Sequence, residues 1–126
     1  MDLQIDTELQ GELLLVTARG IVTFDSISRL LRQVFDTAVE SRVDKILING
    51  LTAEGELAPF ERYRLGVDAA AYLSERGMNV KVAFVGVPPT TDGFGVRIAR
   101  NRGVMARVFS TPQEALSWLD ESPGSD

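Results

Sequence analysis

The side chains best suited to chemistry fall in two groups. Asn49, Thr52 and Glu54, with Glu56 beside them, lie in the stretch Asn49-Gly50-Leu51-Thr52-Ala53-Glu54-Gly55-Glu56-Leu57. Asn49 and Thr52 offer hydrogen bonds and the glutamates offer charge, which suits binding of a partner or ligand at the end of a central strand. The plainer reading is a flexible connection that needs its two glycines for turns. Arg97 and Arg100 form the second group. Three apart on a helix, they share a face and could clamp a carboxylate or a phosphate. Solvation, or a place near a helix carboxyl end, also accounts for arginines at this spacing.

Neither group has the companions that catalysis needs. The chain contains no histidine and no cysteine, which removes the usual groups for proton transfer near neutrality, thiol chemistry and transition-metal ligation. No Ser-His-Asp set can be assembled. Residues Gly86 to Gly95 include Pro88-Pro89 and Gly93 and precede a helix amino terminus, where free N–H groups attract anions. They lack the Lys-Ser/Thr pair of a P-loop and the glycine spacing of a dinucleotide fingerprint. Asp92 would itself cap that helix. Asp25 with Arg29, and Glu61 with Arg64, read as helix-surface ion pairs. Tyr63 and Tyr72 read as core side chains and Trp118 as the core anchor of the last helix. The expectation is a non-enzyme with no cofactor and no metal.

The elements that position these residues follow from periodicity. Leu3, Ile5, Thr7 and Leu9 alternate with Asp2, Gln4, Asp6 and Glu8, a strand with one wet face. Gln10-Gly11 turns into a second strand, Leu13 to Ala18, which Gly20 ends, so the pair forms an antiparallel hairpin. Thr23 caps a helix whose stripe is Ile27, Leu30, Leu31, Val34, Phe35, Ala38 and Val39, with Arg29, Arg32, Asp36 and Glu40 outside. A strand at Lys45 to Asn49 leads through the turn-rich 50–55 segment to a helix from Pro59 to Glu75, stopped by Gly77. Val80 to Gly86 is a strand, Thr91 to Arg102 a helix, and Val104 to Phe109 the last strand. Thr111, Pro112 and Glu114 make the start of a closing helix with a capping box, and Ala115, Leu116, Trp118 and Leu119 pack inward.

Helical crossovers this short join parallel strands, and such crossovers are right-handed. The fold class is therefore α/β: a five-stranded mixed sheet, an N-terminal antiparallel hairpin followed by right-handed strand-helix units, and four helices. The strands also separate two faces. Ile46, Ile48, Val80, Val82, Phe84, Ala106 and Val108 make one wholly apolar face that should carry helices. Lys45, Lys81 and Arg107 begin the other, which is half-wet and only partly covered, leaving room for dimerisation or an apolar ligand.

A chain of 126 residues suits one domain, spanning 1–121 with a frayed tail over 122–126. No apolar run approaches the ~20 residues of a membrane span, and the start of the chain lacks both parts of a secretory signal. A cytoplasmic protein is expected. The net charge of −5 does not favour nucleic acid. Arg97, Arg100, Arg102 and Arg107 nevertheless fall within 93–107 without an Asp or Glu, a basic stretch on an acidic body.

The order of elements, with Gly20-Ile21-Val22-Thr23-Phe24 entering the first helix, Glu61-Arg62-Tyr63-Arg64-Leu65-Gly66 in the second and Asn101-Arg102-Gly103 before the last strand, resembles the STAS fold of sulphate transporters and anti-sigma-factor antagonists. The nearest likeness is to the bacterial STAS/SEC14-like branch. The resemblance implies a non-catalytic regulatory module that binds a kinase-like protein partner. In that family the switch is phosphorylation of a serine at the start of the second helix, inside an Asp-Ser-Ser-Gly type motif. Here the matching stretch, Asn49 to Leu57, has no serine. Thr52 is its only hydroxyl, and Glu54 and Glu56 would repel an added phosphate. The expectation is a homodimeric protein-interaction module without that switch. The alternative is a carrier of a small apolar or lipid-like ligand, with Arg97 or Arg100 meeting its anionic end.

Overall fold

The computed structural model describes residues 3–121, and the tail expected over 122–126 lies outside the described residues, as do Met1 and Asp2. The strands are β1 (Gln4–Gln10), β2 (Leu13–Ile21), β3 (Lys45–Glu54), β4 (Lys81–Val85) and β5 (Met105–Phe109). The helices are α1 (Phe24–Ser41), α2 (Pro59–Glu75), α3 (Phe94–Arg100) and α4 (Pro112–Asp120). The sheet order is β1-β2-β3-β4-β5. β1 pairs antiparallel with β2, and each later neighbour is parallel. This is the mixed sheet the patterning predicts.

Local chemistry explains where the helices begin. Thr23 Oγ1 accepts the Ser26 N–H at 3.1 Å, and Ser26 Oγ accepts the Thr23 N–H at 2.9 Å. This reciprocal box satisfies two groups that the first turn leaves unpaired. At α2 the Glu61 carboxylate takes the Ala58 N–H at 2.9 Å, and Pro59 fills the first helical position. At α4 Thr111 Oγ1 accepts from the Glu114 N–H, while the Glu114 carboxylate turns to the Ser110 and Thr111 hydroxyls. The expected box there is only half formed.

The two sheet faces are covered unequally. Leu14, Val16, Ala18, Ile46, Ile48, Val82 and Ala106 join Leu30, Leu31, Val34, Phe35 and Leu65 of α1 and α2 in the main core. Burying each such aliphatic or aromatic side chain is worth roughly 1.5–3 kcal/mol, so this layer dominates stability. On the other face Leu47, Ala83 and Val85 meet only Ala115 and Leu119 of α4, with Phe109 and Trp118 packed beside them. Lys81 Nζ sits 4.5 Å from the Trp118 ring centroid and donates to the Trp118 carbonyl. The half-covered face is as the alternation predicts.

Several local expectations are corrected. β2 runs through Gly20 to Ile21, and β3 runs five residues beyond Asn49, because Arg19–Ile21 and Thr52–Glu54 pair with each other. α3 is shorter than expected, starting at Phe94 after the loop that ends in Gly93. Val39 and Leu116 lie at the margins of their stripes and are exposed, as is Tyr63. Arg64 pairs with Asp68 rather than Glu61, and no Asp25–Arg29 pair forms among the described residues.

Tyr72 ties α2 to α1. Its hydroxyl donates to Asp36 Oδ1 at 2.6 Å, and the Arg76 guanidinium lies 3.4 Å from its ring centroid. The hydrogen bond to Asp36 holds the phenol pKa above its ordinary value. Because the folded-state pKa is raised, this link contributes below the ordinary tyrosine range and is lost as pH rises through the raised value. Tyr72→Phe should therefore lower the melting temperature by a few degrees at neutral pH. It should also remove part of the wild-type loss of stability above about pH 10, as read by thermal unfolding across alkaline pH.

Candidate functional site

The expected loop at 50–55 is the outer half of β3, and its irregularity is a bulge. Thr17 pairs with Asn49 and Arg19 with Thr52, so Gly50 and Leu51 together oppose the single residue Ala18. The extra residue restores the alternation and keeps Asn49, Thr52 and Glu54 on one face. Asn49 Oδ1 accepts the Leu51 N–H at 3.0 Å, and Thr52 Oγ1 donates to the Ala18 carbonyl at 3.0 Å. Both side chains thus satisfy backbone groups at the bulge. Glu54 points its carboxylate to solvent, while its carbonyl receives the Val22 N–H at 2.7 Å.

Arg97 and Arg100 stand apart from that group. Both are exposed on the last turn of α3, which packs on α2 and β5. The Arg97 guanidinium lies 5.5 Å from the Phe94 ring centroid. The five expected site residues therefore do not converge on one point.

The arginine that organises this end of the sheet is Arg62, only 7% exposed despite its charge. Its Nε donates to the Leu57 carbonyl at 2.9 Å and one terminal nitrogen to the Pro89 carbonyl at 2.7 Å. The other terminal nitrogen pairs with Asp92 at 2.7 Å. Asp92 in turn accepts the Phe94 N–H at 2.9 Å at the start of α3. That backbone hydrogen bond first, and the Arg62 charge second, hold the Asp92 carboxyl below the usual range against a desolvation that opposes them. One guanidinium thus joins the 55–58 connection, the 86–93 loop and α3. A basic residue near a helix amino terminus opposes the macrodipole, which is the sequence signal that Arg62 serves another contact.

Between α1, α2, α3 and the main sheet face lies a partly open apolar pocket of about 160 Å³. Gly66, Ala69, Ala99 and Ala106 present little or no side chain to it, which leaves the space unfilled. Phe84 marks it independently. Its neighbours on the same face, Ile48 and Val82, are buried, yet Phe84 itself is only half-buried. Arg97 and Arg100 are not among the cavity walls.

The same end of the sheet carries exposed apolar side chains. Ile21 closes β2, Leu51 sits at the bulge, Phe60 is in the first turn of α2 and Val87 follows β4. They are 40%, 43%, 70% and 48% exposed. Isolated exposed apolar residues are ordinary, and these four are grouped at the end where the parallel strands finish.

An antiparallel hairpin continued by three parallel strands in sequential order, with α4 alone on the second face, defines the SpoIIAA-like form of the STAS fold. Among solved structures, an anti-sigma factor antagonist from Mycobacterium paratuberculosis superposes with a TM-score of 0.64 at 15% identity, covering 95% of this chain and 96% of that one. An uncharacterised SpoIIAA-like protein from Shewanella loihica gives 0.53 at 18% identity, covering 94% and 93%. The anti-sigma factor antagonist SpoIIAA in its unphosphorylated form gives 0.53 at 13% identity, covering 92% and 97%. No protein-family model and no curated protein sequence matches the chain. At these identities the likeness establishes the fold that the sequence resembles. Among the described residues, no helix is long and apolar enough to cross a membrane, and no cluster of acidic side chains has the makings of a metal site.

Proposed function

We propose that the protein is a non-catalytic, protein-binding regulatory module of STAS type, acting in the cytoplasm. The observation that carries this reading is the set of exposed apolar side chains Ile21, Leu51, Phe60 and Val87 at the end of the sheet where its parallel strands finish. Open α/β sheets use that end for recognition. Two of the structures that share the fold are antagonists of another protein, which supports a protein partner. The absence of histidine and cysteine from the sequence agrees with binding rather than acid–base or thiol catalysis. Glu54 stands beside the apolar set and supplies charge at its edge, while Thr52 holds the bulge that presents it.

Affinity capture by the intact chain tests the reading. Phe60→Ser with Val87→Ser should abolish capture of any specific partner, and Glu54→Ala should weaken it, with thermal unfolding of each variant unchanged within a few degrees. Equal capture by the folded Phe60/Val87 double variant would remove this end of the sheet as the docking site.

A further inference from the structure

We propose that the cavity over Phe84 is a binding site for a neutral, apolar molecule about the size of one aromatic ring. Three observations carry this. The first is volume. A pocket of about 160 Å³ with aliphatic and aromatic walls is of the size that takes benzene, since apolar cavities of roughly 150 Å³ do so.

The second is charge. Among the described residues the one guanidinium lining the pocket, that of Arg62, is committed to the Leu57 and Pro89 carbonyls and to Asp92. Asp92 is committed to Arg62 and to the Phe94 N–H. An anionic group placed against the apolar walls would have to break that network or go unpaired, and burying an unpaired charge is strongly unfavourable.

The third is access. A shallow groove on the outer surface between α1 and α2 shares Leu31, Phe35, Leu65 and Ala69 with the cavity below. Phe84, on the floor of the pocket, is itself partly exposed, so the site is reachable from the surface without rearrangement of the backbone.

The test is a methyl-region NMR titration of the full chain with benzene and, separately, with decanoate. Benzene should give saturable shifts centred on Ala69, Val82, Val96 and Ala106 and should raise the melting temperature, as a ligand of the native state must. Decanoate should give neither. Ala69→Leu fills the cavity and should weaken benzene binding by about tenfold or more. Should that variant fail to fold, Ala106→Val fills the same space from the sheet side and should have the same effect. Absence of saturable shifts in the wild type, or equal benzene affinity in a folded filled variant, would overturn the proposal. Saturable decanoate binding that the filled variant loses would also overturn it, in favour of an acyl ligand.

Discussion

Arg62→Ala should destabilise the protein by about 3 kcal/mol and release the 86–93 loop. The side chain makes three polar contacts from a nearly sealed position. Its removal leaves the buried Leu57 carbonyl without its partner, at a cost of about 1–3 kcal/mol, while the exposed Pro89 carbonyl regains water. Breaking a buried ion pair by deleting one partner costs about 3–5 kcal/mol when the other charge is stranded. Here the remaining partner, Asp92, has a side chain 45% exposed, so it regains water and the loss falls at the low end. Asp92→Asn is the complementary case. It keeps both carbonyl contacts but leaves the buried cation without its counter-charge, so it should cost less than Arg62→Ala.

The pH dependence has a definite sign. The Asp92 pKa is lowered in the folded protein, so its contribution is full above the ordinary carboxylate range and is lost as pH falls through the lowered value. Urea unfolding of the three proteins between neutral and acidic pH reads both effects, and amide exchange over 86–95 reads the loop. A loss below about 1 kcal/mol for Arg62→Ala, with unchanged exchange, would show that the guanidinium does not hold this end together.

Arg62 also shows what the sequence could convey and what it could not. The bounds of α2 were legible, because Pro59 and Gly77 punctuate it. α1 was legible from its stripe and from Thr23. These signals are local, and helices are built from local contacts. Two of the three partners of Arg62, Pro89 and Asp92, are not local. Pro89 lies 27 residues away along the chain, so the patterning around residue 62 cannot indicate that the side chain is buried. The outer half of β3 was hidden for a related reason. Gly50 and Leu51 form a bulge, and a bulge draws on the same residue types as a turn. The bond from Thr52 to the Ala18 carbonyl, 34 residues away, is what distinguishes the two.

The candidate site divides in the same way. Asn49 and Thr52 offer hydrogen-bonding groups, and those groups are used, but on the backbone of the bulge. Glu54 keeps its charge free at the surface. Arg97 and Arg100 were singled out for their spacing, which places them together on α3 but away from β3. The half-covered second face was legible because Lys45, Lys81 and Arg107 break the apolar alternation at strand starts. The cavity was not legible, since it depends on which small residues of three helices and the sheet come to face one another.

Gly66→Ala should destabilise the protein by about 2–3 kcal/mol, against the direction that helix propensity alone gives. Alanine in a helix interior is favoured over glycine by about 1 kcal/mol. Gly66 lies inside α2, so in isolation the exchange would stabilise it. A methyl built there, however, would lie 2.6 Å from the Gly95 carbonyl oxygen and 2.8 Å from Ile98 Cβ. A backbone oxygen cannot turn aside as a side chain can, so α3 must move away from α2. The contact is close from both sides, because a methyl on Gly95 would come within 3.0 Å of the Arg62 carbonyl. Displacing α3 moves Val96 and Ala99 off the cavity and draws Phe94 from Asp92, which loosens the hold of Arg62 on the loop. The two substitutions thus act on one joint. Combined with Arg62→Ala, the Gly66→Ala loss should be smaller than it is alone, a coupling of about 1 kcal/mol in a double-mutant cycle. Gain of stability by Gly66→Ala, or strict additivity with Arg62→Ala, would mean that α3 is not seated through this glycine contact.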